Sequence, residues 1–181
     1  MAKGSGGVRA NIYRDKKIND SKDIFDSYDE DKWTKSIFYR SSGGFLVTDK
    51  ARETAGRLNK QEREKFDKEQ RMCKKFASFG FQIEHLGEIP GTGSADVRLV
   101  GHALTRSLVR INGQLADLKS TSSANNIVKY AKKAVRKQGA DIVLFEFAAR
   151  TTHIENTIRD LSARGVHGYY YYVGERKCQK F

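Results

Sequence analysis

Two carboxylates and an ammonium stand out by type and spacing: Asp96, within Ala95-Asp96-Val97-Arg98-Leu99-Val100, and the triplet Asp117-Leu118-Lys119. Both runs read as β-strands. Side chains alternate along a strand, so Asp117 and Lys119 share one face while Leu118 points into the other layer. Val97 and Leu99 give the first run an apolar face opposite Asp96. If the two strands pair, both carboxylates and Lys119 meet on a single surface. Carboxylate oxygens suit Mg2+ or Mn2+, and a neighbouring lysine can orient or deprotonate water and offset charge on a phosphate. The chemistry implied is metal-assisted phosphodiester cleavage.

Composition agrees with a polyanionic substrate. The 181 residues carry a formal charge of +12, which points to nucleic acid ahead of an anionic membrane. Cys73 and Cys178 stand far apart with no CxxC, which argues against a disulfide framework and against a zinc ribbon. His85, His102, His153 and His167 show neither HxxxH nor HExxH spacing, so a zinc site is not expected. A histidine pair leaves a metal-independent ribonuclease as the rival mechanism. No apolar run reaches the roughly 20 residues of a membrane span, and the polar start Met1-Ala2-Lys3-Gly4-Ser5-Gly6-Gly7 is unlike a signal peptide. The expectation is a reduced, cytoplasmic protein.

The length fits one domain with an appended arm. Residues 1 to about 35 are polar and poor in aliphatics, and read as an irregular lead-in whose Ile24, Phe25, Tyr28 and Trp33 dock onto the body. Ile37 to Val47, with Gly43-Gly44 between two apolar runs, reads as a β-hairpin. The expected division is residues 1–50, a polar arm with a hairpin, and residues 51–181, the site-bearing domain. Asn59 to Ser78 is helical, capped by Asn59 and stopped by Gly80. Phe81 to Leu86 follows as a strand, Gly87 to Ser94 as a loop, then the Asp96 strand and the strand ending at Lys119. That last strand starts near Arg110, unless Ile111 to Gln114 holds the turn. Asn125 to Gln138 forms an amphipathic helix, Asp141 to Phe147 a buried strand, Ile154 to Ala163 a helix and Tyr169 to Val173 a last strand before a basic tail. The order defines an α/β protein with a mixed central sheet flanked by helices.

Helix, three-stranded meander, helix, strand resembles the core of the PD-(D/E)XK nuclease superfamily. Its signature is matched by Ser94-Ala95-Asp96 and Asp117-Leu118-Lys119, with Ala95 where proline is usual and Asp117 where glutamate is common. From about Glu69 onward the chain is similar to the C-terminal tRNA nuclease toxin domains of contact-dependent inhibition proteins and their phage and mobile-element relatives. The matching features are the acidic helix before Gly80-Phe81, the Glu88 loop, Ala116 to Ser120, Asn126-Ile127, and Lys137-Gln138 before an apolar strand. The resemblance implies an αβββαβ core with an extra helix and strand. It implies RNA, tRNA most specifically, as substrate and a cognate immunity protein as partner. A DNA endonuclease of the same fold and a non-catalytic nucleic-acid-binding module are the alternatives.

On that resemblance Asp96 and Asp117 hold the metal, helped by Glu69 or Glu88, with Lys119 at the reacting phosphate. Glu69 can equally be a solvated helical charge and Glu88 a polar loop residue. Gln138, on the apolar side of its helix, either positions water or substrate or makes a structural hydrogen bond. Thr121, Ser122 and Asn126 open a helix, where they cap it or help bind phosphate. Lys129, Lys133 and Lys137 form either a solvated face or a phosphate-tracking surface. Tyr169 to Tyr172 alternate, which sends two rings inward and two outward, the outer pair open to base stacking.

Overall fold

The computed structural model describes residues 5–88, 94–105 and 112–181. Helices alternate with strands in the order α1 (Ser5–Asp26), β1 (Trp33–Phe38), β2 (Phe45–Asp49), α2 (Lys50–Ala55), α3 (Lys60–Ser78), β3 (Phe81–His85), β4 (Val97–His102), β5 (Gln114–Thr121), α4 (Ala124–Lys137), β6 (Ile142–Phe147), α5 (Thr152–Ala163), β7 (Gly168–Tyr172) and β8 (Cys178–Lys180). The strands form one mixed sheet whose spatial order follows the sequence, β1 to β8. Pairing is parallel at β2–β3, β5–β6 and β6–β7 and antiparallel elsewhere.

Alternation assigns each strand residue to a layer. Ile142 and Leu144 of β6 pack with Met72, Cys73 and Phe76 of α3, whereas Val143, Phe145 and Phe147 pack with Ile127 of α4 and Ile158 of α5. The sheet thus has α3 on one face and α4 with α5 on the other. A smaller cluster of Phe25, Trp33, Phe45 and Val47 fastens the end of α1 to the hairpin. The helix ends follow local chemistry: the Asn59 side chain accepts from Glu62 N at 2.9 Å, and the Thr151 side chain accepts from Ile154 N at 3.1 Å.

Four expectations are corrected. The irregular lead-in is the helix α1, polar around its circumference and tied down by Ser21 Oγ donating to the Gly43 carbonyl at 2.5 Å. The residues after β2 add a short helix, α2. The basic tail contributes β8, antiparallel to β7. All four tyrosines of β7 are buried, because helices cover both faces there, so none is free to stack on a base. The strand ending at Lys119 begins at Gln114, after a turn at Asn112-Gly113 where Gly113 has φ 79°. Its expected start at Arg110 lies outside the described residues, as do residues 89–93 of the loop that follows Glu88. Among the described residues no helix is long and apolar enough to cross a membrane.

Candidate active site

The site lies where the sheet forks. Among the described residues, strand β4 pairs with β5 through Val97–Ala116, Arg98–Leu115 and Leu99–Gln114. Beyond Ala116, β5 continues towards Thr121 beside β6 alone. Asp96 lies in the bend just before β4 and closes the fork: its Oδ2 accepts the Leu118 backbone N–H at 2.8 Å. Leu118 packs on the α3 side, so alternation turns Asp117 and Lys119 of β5 away from it, and Asp96 reaches them from the bend at the fork.

The three groups meet there. Asp117 is fully buried, and Lys119 Nζ lies 2.5 Å from its Oδ2. The Asp96 carboxyl is hydrogen-bonded to that of Asp117. Burial, that bond and the charges of Asp117 and Glu69 push Asp96 well above the ordinary carboxylate range, against the opposing pull of the Leu118 N–H. The Gln138 amide, just after α4, sits between Asp117 and Lys119. With its nitrogen towards the carboxylate it donates to Asp117 Oδ2 at 2.5 Å. Turned the other way, its oxygen accepts from Lys119 Nζ at 3.3 Å but opposes a carboxylate oxygen. The first orientation satisfies the pair.

A pocket of about 290 Å3 opens over this group between α3 and α4, lined by Asp96, Lys119, Gln138 and Glu69, with Lys65, Lys68 and Lys133 at its sides. Glu69 is held from behind. Its Oε2 accepts from Arg52 Nη2 at 2.8 Å and Nε at 3.3 Å, and His85 Nε2 lies 2.8 Å away. Gln70 Nε2 donates to His85 Nδ1 at 2.8 Å, which leaves the His85 proton on Nε2, aimed at Glu69. Burial pushes Glu69 upward, but the hydrogen bonds from His85 and Arg52, together with the Arg52 charge, outweigh it and hold the carboxyl below its ordinary range.

The remaining sequence-derived residues are dispersed. Glu88 is exposed and paired with Lys65 at 2.5 Å, and does not line the pocket. Thr121 Oγ1 accepts the Ser123 N–H at 3.0 Å, a local turn bond. Asn126 is half-buried in the first turn of α4. Lys133 reaches the pocket, while Lys129 and Lys137, exposed one turn to either side, extend a basic stripe on α4.

Sequence reasoning passed over Lys65, Lys68, Tyr130 and Ser120, which also line the pocket. It also passed over the Arg52–His85 clamp on Glu69 and the buried Glu146 of β6. Glu146 alone carried a legible signal: an acid inside Ile142-Val143-Leu144-Phe145-Glu146-Phe147 must find partners.

Two carboxyl groups in contact, with Lys119 against one of them, form an oxygen-rich group. That donor set fits a hard divalent cation such as Mg2+ or Mn2+. Among the described residues no three His, Cys, Asp or Glu side chains gather as a metal cluster, and the acid pair supplies the carboxylate oxygens at the fork.

No family model matches the sequence, and no curated protein matches it. Among solved structures, a chain of the CdiA-CT/CdiI toxin and immunity complex from Burkholderia pseudomallei is similar, with a TM-score of 0.47 and 15% identity over 69% of this chain and 89% of that one. The α/β assignment rests on the strand order and layers described above.

Proposed function

We propose that this protein is a nuclease of PD-(D/E)XK type that cleaves RNA phosphodiester bonds with divalent-metal assistance, tRNA being the favoured substrate. The observation that carries this reading is the convergence of Asp96, Asp117 and Lys119 at the fork of the sheet, with Asp96 and Lys119 in the wall of a lysine-flanked pocket and Asp117 buried behind them. Asp96 and Asp117 hold the cation. When bound, it polarises the scissile phosphate and lowers the pKa of water. Lys119 stabilises the incoming hydroxide or the phosphorane, and its contact with Asp117 fixes where its charge sits. Gln138 keeps that pair aligned. Lys65, Lys68 and Lys133 receive the phosphates on either side. The toxin-like role and the cognate immunity protein follow from the resemblance of the sequence motifs.

The test is incubation of purified protein with total tRNA and with plasmid DNA, each with Mg2+, Mn2+ or EDTA, beside Asp117→Ala. Metal-dependent loss of tRNA that Asp117→Ala abolishes supports the reading. Intact substrates under every condition overturn it, and cleavage that survives EDTA overturns the metal-assisted mechanism.

A further inference from the structure

A second cavity, of about 610 Å3, opens beside the acidic pocket on the α3 side of the sheet. One hydrogen bond joins the two. Ser120, in the wall of the first, donates from Oγ to Glu146 Oε1 at 2.8 Å, and Glu146 forms part of the wall of the second. Along α3, Lys68 at the first cavity and Lys75 at the second are two turns apart on the same side, about 10 Å at 1.5 Å per residue. A chain of phosphates leaving the acidic site along α3 passes directly into this cavity.

The cavity is furnished for such a chain. Arg71 is held side-on by the buried Glu146, with Nη2 to Oε1 at 2.7 Å and Nε to Oε2 at 3.4 Å. Tyr171 Oη donates to the same carboxylate at 2.6 Å. Burial pushes Glu146 up, but the bonds from Arg71, Tyr171 and Ser120 outweigh it and hold it below the ordinary carboxylate range. These bonds occupy the carboxylate, while the Arg71 side chain stays 59% exposed. Its orientation is therefore set in advance and its outer edge faces the cavity, the arrangement suited to a phosphate. Lys74 and Lys75 line the same wall and form no salt bridge among the described residues. Half-buried Tyr39 and exposed Val173 supply an apolar side of the size of a base.

We propose that this cavity binds the single-stranded stretch of polynucleotide adjoining the scissile phosphate, its phosphates on Arg71, Lys74 and Lys75 and one base against Tyr39. The inference rests on the nuclease reading for what lies next door, but its test does not. A labelled single-stranded oligoribonucleotide is titrated by fluorescence anisotropy across a salt series on the Asp117→Asn background. Lys74→Gln with Lys75→Gln lowers the slope of log affinity against log salt by about 1.4, and adding Arg71→Gln brings the drop to about 2. Tyr39→Leu weakens binding ~5- to 150-fold with the slope unchanged. Lys60→Gln, at the far end of α3, leaves the slope alone. Melting curves confirm that each variant is folded, and the lysine pair alone decides the matter if Arg71→Gln is not. An unchanged slope in the lysine pair overturns the inference, even where the wild type cuts RNA. If the wild type cuts nothing, the nuclease reading falls, and the same slopes measured on the wild-type background still decide the cavity.

Discussion

Glu69→Gln isolates the buried clamp behind the pocket. Arg52 is 1% exposed and the Glu69 side chain 8%, and both donating nitrogens of Arg52 converge on Glu69 Oε2. The substitution keeps shape and removes charge. Arg52 is then a buried cation without a counter-ion, and its Nη1 already has no hydrogen-bond partner among the described residues. Removing one member of such a pair costs about 3–5 kcal/mol. In a chain of this size each kcal/mol moves Tm by about 2–4 °C, so Tm falls by about 6–20 °C. The assay is urea unfolding at several pH values, with linear extrapolation. Glu69 sits below its ordinary range in the folded protein, so its charged form stabilises the fold above the unfolded carboxylate value of about 4.3. That stabilisation fades as pH falls through the lower folded value. The gap between wild type and variant therefore narrows in acid. A loss below about 1 kcal/mol at neutral pH, or a gap that does not shrink between about pH 7 and about pH 3, refutes the reasoning.

Lys119→Met lowers kcat at least about a hundredfold with KM little changed, because the ammonium acts where charge develops; steady-state cleavage of tRNA checks this. Mg2+ or Mn2+ at about a hundred times its Kd stabilises the protein by about 2.7 kcal/mol, a rise in Tm of about 5–11 °C, and Asp117→Asn removes the rise in a thermal-shift assay. Tyr171→Phe deletes the 2.6 Å bond to Glu146 and costs about 1.5–3 kcal/mol, read from the urea midpoint.

Much of the sheet was written in the sequence because its strands and helices carry strong local periods. Asn59 and Gly80 bracket α3, and Gly139 and Gly165 follow α4 and α5. Helix α1 escaped because its stability comes from contacts such as Ser21 with Gly43 and the packing of Phe25, not from an apolar stripe. Strand β8 escaped because Cys178-Gln179-Lys180 has no strand signature of its own and pairs only because β7 offers an edge. At the site, strand alternation was enough to place Asp117 beside Lys119. It could not show that β4 and β5 part company just there, since register is a property of two segments and not of either alone. Glu69 illustrates the same limit. Its partners Arg52 and His85 lie on α2 and β3, and no spacing within α3 announces them.

Because every strand lies beside its predecessor in the chain, the sheet can be laid down from the amino end as the polypeptide leaves the ribosome, with few long-distance rearrangements to slow it. The first four strands can assemble while Asp117 is still unmade. The candidate site is complete only after residue 138 has emerged and α4 has packed into place, so an unfinished chain carries the scaffold without it.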